Sequence, residues 1–316
     1  MRKRDTLWYG AMGLGGSWDP TRPLTEKDIE AGIPILDTVL DCGIKRIDLA
    51  DIYHHGKSES VVGAYLKHHP GLRDQLTIQS KTGIQLTGTN FGSRFDFSYD
   101  HITKSVDGIL RRLGTSYLDI LLLHRPDPLV DRGEIKEAID KLFSEKKIRA
   151  LGVSNMSKEQ IELLELYTGR HIAVDQLELS LHKHDFVSSA VGFNNSGGAR
   201  TDFPLGTLEY CMTHDVTLQA WSPLARGIYS GKPYDELTPD TVKETTQIVK
   251  RIATERKVSS EAVVLAWLLR HPAHIEPVIG STNPSRIRNC LQAYDITLTR
   301  NEWYELFVAS RGIPMP

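Results

Sequence analysis

A chain of 316 residues has room for one large α/β domain or two ordinary ones, and 38 basic against 40 acidic side chains leave a formal charge of only −2. No overall field invites nucleic acid or an anionic membrane surface, so a small-molecule partner is expected. The cysteines, Cys42, Cys211 and Cys290, are odd in number and far apart, which argues against a disulfide framework and for a reducing compartment. The basic start MRKRD is followed by no apolar run of signal-peptide length, and no stretch approaches the roughly 20 apolar residues of a membrane span. A soluble, cytoplasmic protein is expected.

Short apolar runs alternate with longer amphipathic segments along the whole chain. The candidate strands, in order, are 7–16, 46–50, 76–82, 118–124, 148–154, 173–179, 217–223 and 276–281. Each is short and mostly apolar, as parallel strands covered on both faces should be. Helices are expected between them, for instance over 101–114, 134–147 and 157–169, the last with Ser157 and Gln160 as an N-terminal capping pair and Gly169 as a stop. Eight βα units without a low-complexity linker predict a single-domain (β/α)8 TIM barrel spanning residues 1–316. An open doubly wound sheet is the alternative, since strand count alone does not prove closure. Two long connections, 83–100 and 185–206, are rich in Gly, Asn, Ser and Phe, and are candidate pocket walls.

The polar residues that interrupt this apolar pattern sit at one end of the strands. Asp48 lies inside RIDLA, with Tyr53 just beyond it. Lys81 closes LTIQSKT, His124 closes LDILLLH, Ser154 and Asn155 end IRALGVSN, and Gln176 lies in AVDQLEL. In a barrel those strand ends converge on one mouth. An acid in an apolar strand is costly to bury unless a cation pairs with it, and Lys81 is the cation available. The charged pair is expected to lower the acidity constant of Tyr53 and make it a general acid near neutral pH, with His124 as a hydrogen-bond donor or proton relay aimed at the same oxygen. Such a set suits delivery of a proton to a carbonyl oxygen while hydride reaches its carbon.

At these residues the chain resembles the aldo-keto reductases. IDLADIYHHGKSESVVG is similar to that family's Asp, Ala, Tyr and Gly signature, IQSKTG carries its lysine, LDILLLHRPDP its histidine and LGVSN its Ser-Asn pair. The likeness covers about residues 7 to 295, and HRPDP with ADIYHHG points to a bacterial-type subgroup of generic oxidoreductases. It implies a catalytic tetrad of Asp48, Tyr53, Lys81 and His124, with Tyr53 the proton donor in aldehyde or ketone reduction.

Hydride must come from a nicotinamide, because no side chain supplies it. The glycine-rich MGLGGSWD, 12–19, lacks the spacing and the later acid of a Rossmann fingerprint. The resemblance implies that Ser154, Asn155 and Gln176 bind the carboxamide, that Trp221 stacks on the nicotinamide, and that Ser222, Leu224 and Arg226 line the pyrophosphate. In PVIGSTNPSRIRNC, Gly280 and Ser281 end the last strand, Pro284 fits a first helical turn and Arg286 projects from that turn, an apt anion pocket. The family places the adenosine 2′-phosphate here, which favours NADPH, with NADH a weaker alternative. Thr282 and Asn283 stand where many members have a second basic residue, and Cys290 replaces an asparagine often seen at the adenine.

The histidine pairs 54/55, 68/69 and 182/184 lack metal-ligand spacing, and no metal is expected. Trp18 is a candidate pocket wall or rim residue. Two other functions fit the barrel. A Schiff-base aldolase would use Lys81, but a carboxylate neighbour holds that lysine charged. A slow cofactor-sensing regulatory subunit, as some relatives of this family are, is the other. A monomer is the default, because no heptad or sticky edge is visible, and the substrate is not legible.

Overall fold

The computed structural model describes residues 6–89, 92–191 and 202–316. In chain order these residues form strands β1 (Trp8–Gly10), β2 (Arg46–Asp48), β3 (Thr77–Thr82), β4 (Ile84–Thr89), β5 (Gly92–Phe95), β6 (Leu118–Leu123), β7 (Ile148–Ser154), β8 (Ile172–Glu178), β9 (Thr217–Trp221) and β10 (Glu276–Ile279). The α-helices are α1 (Glu26–Asp41), α2 (Lys57–His68), α3 (Tyr99–Leu113), α4 (Arg132–Ser144), α5 (Lys158–Thr168), α6 (Asp185–Val191), α7 (Thr207–Thr213), α8 (Asp240–Arg256), α9 (Ser260–Leu269), α10 (Pro284–Leu291) and α11 (Arg300–Arg311). Eight strands close a barrel in the order β1-β10-β9-β8-β7-β6-β3-β2, and β4 with β5 makes a separate two-stranded sheet. The expected (β/α)8 barrel is therefore the fold, and the open sheet is not.

The chain divides into two compact units. Of the described residues, one holds those of Trp8–Gln176 and Gly280–Pro284; the other holds Thr6, Leu7 and those of Leu177–Ile279 and Ser285–Pro316. In the first, β1, β2, β3, β6, β7 and β8 pair in parallel, with Asp48 beside Gln79, Lys81 beside Leu122 and Ser154 beside Gln176. Leu121, Leu122 and Leu123 are completely buried, which explains why the second half of β6 reads as an apolar run instead of an alternating one. In the second unit, β9 and β10 pair in parallel, and Trp267 stacks on Trp303 with ring centroids 5.0 Å apart.

Local signals set the helix ends. Thr25 and Asp28 form a reciprocal capping box on α1, as do Thr299 and Glu302 on α11. In α5, Ser157 donates its N–H to Gln160 Oε1 at 2.9 Å, and Gly169 ends the helix in the left-handed region, as the spacing predicts. The first strand is shorter than its apolar run because the chain leaves it at Ala11–Gly13 in a 3-10 turn. Gly15 then adopts φ +105°, where a Cβ would lie 2.9 Å from Ser58 N.

The connection after β3 is the antiparallel β4–β5 pair instead of an irregular loop, apart from residues 90 and 91, which lie outside the described residues. The connection after β8 begins as α6, and its residues 192–201 lie outside them too. No helix among the described residues is long and apolar enough to cross a membrane.

The approach of α2 to α3 depends on one absent methyl group. A Cβ on Gly63 would stand 2.1 Å from the Arg112 carbonyl oxygen, a backbone atom that cannot swing aside. Gly63→Ala is expected to lower stability by at least about 2 kcal/mol, read as a reduced midpoint in urea unfolding.

Candidate active site

Side-chain alternation along β3 sorts its residues to two faces. Gln79 and Lys81 point to the face that carries Asp48, while Ser80, between them, points to α2 and donates to Glu59 Oε1 at 2.6 Å. On the first face Lys81 Nζ lies 2.6 Å from Asp48 Oδ1, both side chains almost wholly buried. The same ammonium donates to Leu49 O at 2.8 Å and to Tyr53 Oη at 3.2 Å. Asp48 Oδ1 also accepts from Gln79 Nε2 at 2.7 Å and from Gln176 Nε2 at 3.0 Å. Three donors thus hold one carboxylate oxygen, and the three donors of the ammonium are all spent on oxygens. That is how the structure tolerates a full ion pair where water cannot reach.

Tyr53 reaches the ammonium from beyond β2. Its N–H donates to Ala50 O, closing a turn, and its ring stands edge-on to the His124 ring with centroids 6.1 Å apart. His124 follows β6 and is fixed through its backbone, N–H to Thr82 O at 2.9 Å, while its buried Nδ1 has no hydrogen-bond partner. Burial, then the charges of Lys81 and Arg125, hold this imidazole well below its usual range, so it is neutral at pH 7, one ring nitrogen protonated.

The expectation that the charged pair tunes Tyr53 downward is corrected here. Burial raises the phenol above its ordinary value, and the attraction of Lys81 opposes this without reversing it, with Asp48 and Asp51 adding to the rise. For Lys81, burial acts to lower the value, but Asp48 and Tyr53 outweigh it and the net shift is upward. Tyr53 is therefore a stably protonated phenol, and Lys81 a stable cation. A charged Lys81 also removes the neutral amine that a Schiff base requires.

Ser154, Asn155 and Gln176 are brought together at the ends of β7 and β8. Asn155, in the left-handed region at φ 59°, donates its N–H to Gln176 O at 3.0 Å and its side-chain amide to Ser154 Oγ at 2.7 Å, while Ser154 Oγ donates to Gln176 O at 2.8 Å. The Asn155 amide also approaches the His124 carbonyl oxygen at 3.4 Å. Gly280 and Ser281 belong to the same compact unit as these residues and the tetrad. A Cβ on Gly13 would meet Thr282 Cγ2 at 2.7 Å, so the glycine-rich turn after β1 packs against the turn after β10.

The other expected cofactor residues lie in the second unit. Trp221 ends β9 half-buried, and the chain then turns tightly, with Ser222 at φ 51° and Arg226 at φ 55°, Ala225 N–H bonded to Ser222 O and Gly227 N–H to Leu224 O. Arg286 on α10 is anchored: Nε donates to Glu261 Oε1 at 2.9 Å, and Nη2 to both the carbonyl and the hydroxyl of Ser230 at 3.0 Å. Cys290 is buried and donates to Arg286 O.

Of the paired histidines, His54, His55, His69, His182 and His184 have local partners. Trp18, half exposed, packs on the His54 ring at 4.4 Å, and His55 Nε2 lies 3.1 Å from Trp18 O. His69 is set against Tyr65 O, His182 against the Tyr229 hydroxyl and His184 against Ser188 Oγ. Among the described residues no group of His, Cys, Asp or Glu is placed to hold a metal ion.

Two elements of the site go beyond the sequence reading. Gln79 is a further anchor of Asp48, and its place two residues before Lys81 on an alternating strand was the available signal. Glu59, fully buried, bonds Ser80 and pairs with Arg112 Nε at 2.6 Å, which no local pattern announced.

The model of the aldo/keto reductase family matches residues 6–307. The 6-dehydroglucose reductase of Agrobacterium fabrum is 35% identical over 309 residues, covering 96% of this chain and 93% of that protein. A second 6-dehydroglucose reductase, from Novosphingobium aromaticivorans, is 31% identical over 290 residues, covering 89% of this chain and 86% of its own length. Among solved structures, an aldo-keto reductase from Klebsiella pneumoniae in complex with NADPH superposes with a TM-score of 0.73 at 25% identity, over 98% of this chain and 92% of that one. The chain belongs to the aldo/keto reductase family.

Removing the cation of the pair leaves a buried, uncompensated carboxylate. Lys81→Met is expected to cost about 3–5 kcal/mol of stability, and adding Asp48→Asn should recover a large part of that loss, measured by thermal or urea unfolding of both variants.

Proposed function

We propose that the protein is an NADPH-dependent reductase of aldehydes or ketones in which Tyr53 gives the proton and Lys81, Asp48 and His124 support it. The observation that carries this reading is the chain of contacts from Asp48 through Lys81 to the Tyr53 oxygen, 2.6 Å and then 3.2 Å. When bound, the nicotinamide supplies the hydride that no side chain can.

The residues suit such a cofactor by their donor chemistry. The Asn155 and Gln176 amides and the Ser154 hydroxyl form a hydrogen-bonding set apt for a carboxamide; in the other unit Trp221 offers an indole for a ring and Arg286 a guanidinium for a phosphate. Ser222, Leu224 and Arg226, on backbone bent into the left-handed region, are assigned to the pyrophosphate. The NADPH complex of the Klebsiella protein supports NADPH as first choice over NADH. Arg286 is shared with Glu261 and Ser230, which leaves less of its guanidinium for a 2′-phosphate and keeps NADH as the weaker alternative.

In the reaction, neutral His124 orients the carbonyl oxygen by donating a ring N–H, and the Tyr53 hydroxyl transfers its proton to that oxygen. The phenolate left behind faces the Lys81 ammonium, which three oxygen acceptors hold in place. Because Tyr53 stays protonated through neutral pH, the donor is loaded at the start of each reductive turnover. Two relatives named 6-dehydroglucose reductase support a hydroxylated, sugar-like aldehyde as substrate.

The test follows NADPH absorbance with a sugar aldehyde and with an activated aromatic aldehyde, in the wild type and in Tyr53→Phe, and repeats it with NADH. Expected are turnover by the wild type, a loss of about 10²–10⁴-fold in kcat for the variant, and unchanged NADPH affinity. A wild type that binds NADPH but reduces neither aldehyde, or a variant of undiminished rate, overturns the assignment.

A further inference from the structure

We propose that Glu59 is a positioning residue that sets the contact between Lys81 and Tyr53, by tying the strand that carries the lysine to the turn that carries the phenol. This rests on Tyr53 being the proton donor, as proposed above. The 3.2 Å contact between the Lys81 ammonium and the Tyr53 oxygen joins two separate pieces of chain, the end of β3 and the turn beyond β2. Glu59 is attached to both. One carboxylate oxygen accepts from Ser80 Oγ at 2.6 Å, and Ser80 is the neighbour of Lys81 on β3, pointing to the opposite face. The other accepts from Arg112 Nε at 2.6 Å. The Arg112 side chain lies against Gly56, where a Cβ would stand 2.6 Å from Nε and 2.7 Å from Cδ. Gly56, at φ +84°, ends the turn that Tyr53 begins. That turn runs straight into α2, with Lys57 N–H bonded to the carbonyls of Tyr53 and His54, so Glu59 sits in the first turn of the helix that continues it.

Energetics separate this role from plain stabilisation. Glu59 is completely buried, and a buried ion pair is a weak source of stability that an apolar side chain of similar volume would match. Apolar packing fixes a spacing between elements, whereas two short hydrogen bonds also fix direction. What the carboxylate adds is therefore the placement of Ser80 relative to the turn, and with it the placement of Lys81, one residue further along the strand. The site is sensitive to that placement, because a shift of about 1 Å in a reacting group can cost on the order of 10²-fold in rate. The contact is also readable without turnover, since the attraction of Lys81 pulls the phenol of Tyr53 toward ionisation.

Two measurements on the full chain test this, with thermal unfolding of each variant alongside. Ser80→Ala cuts the bond to β3 and leaves the Glu59–Arg112 pair in place; Glu59→Met cuts both bonds and keeps the volume. The first measurement is reduction of an activated aromatic aldehyde by NADPH. In Ser80→Ala kcat should fall about three- to thirtyfold, with KM for NADPH and for the aldehyde unchanged. Glu59→Met should lose at least as much, and adding Ser80→Ala to it should cost nothing further, because the bond is already gone. The second needs no turnover: the ionisation of Tyr53 is followed by tyrosinate absorbance, as the difference from Tyr53→Phe. In Ser80→Ala the phenol should ionise at higher pH than in the wild type, as its contact with Lys81 loosens. A Ser80→Ala variant with wild-type kcat and a wild-type Tyr53 titration, whatever its unfolding temperature, overturns the proposal, as does a rate loss that multiplies independently in the double variant. A wild type without turnover but with a Tyr53 titration displaced in Ser80→Ala would overturn the reductase reading and leave the positioning role standing.

Discussion

The ion pair between Asp48 and Lys81 is the constraint on which the site depends. Two opposite charges out of reach of water persist only where every remaining donor and acceptor is satisfied. The chain meets that demand from several directions: Gln79 along β3, Gln176 from β8, and the Leu49 carbonyl beside Asp48 itself. Closing the barrel between β2 and β8 is thus part of the electrostatics, since Gln176 lies 128 positions from Asp48 in sequence and comes to its oxygen only through the strands between. The tyrosine is the beneficiary, because the last N–H of the ammonium is left for its oxygen.

Around this pair the protein keeps its acid and base groups in distinct states by environment alone. His124 is half-buried near cations and stays neutral; Lys81 is buried near an anion and stays charged; Tyr53 is half-buried between the two influences and keeps its proton. Burial is the first cause in each case, and the sign of the nearest charge decides whether it is reinforced or overcome. Behind the pair, Glu59 joins β3 to α2 and α3 through Ser80 and Arg112.

In the unit that carries the tetrad, His54 and His55 lie in the left-handed region directly after Tyr53, as does Asn155 after β7; in the other unit Ser222, Ala225 and Arg226 do so after β9. Residues with side chains seldom adopt that conformation, and its concentration just past strand ends fits loops shaped for a ligand more than for economy of backbone energy.

Much of this was legible in the sequence because it depends on short-range rules. Apolar runs of strand length, separated by capped helices, determined the eight βα units; β7 occurs over 148–154 as read, and α5 begins and ends at Ser157 and Gly169 as its capping residues require. The acid in β2, the lysine closing β3 and the histidine closing β6 were visible as polar residues against an apolar pattern. What only the tertiary structure decided was anything that depends on the depth of burial or on residues distant in sequence. The sign of the shift at Tyr53 is set by the desolvation of the phenol in the folded chain, which charge pattern does not reveal. The roles of Gln79, Glu59 and Arg112, and the short β4–β5 sheet in place of an irregular connection, arise from packing between elements. Periodicity assigns a residue to a face; only the closed barrel says what that face meets.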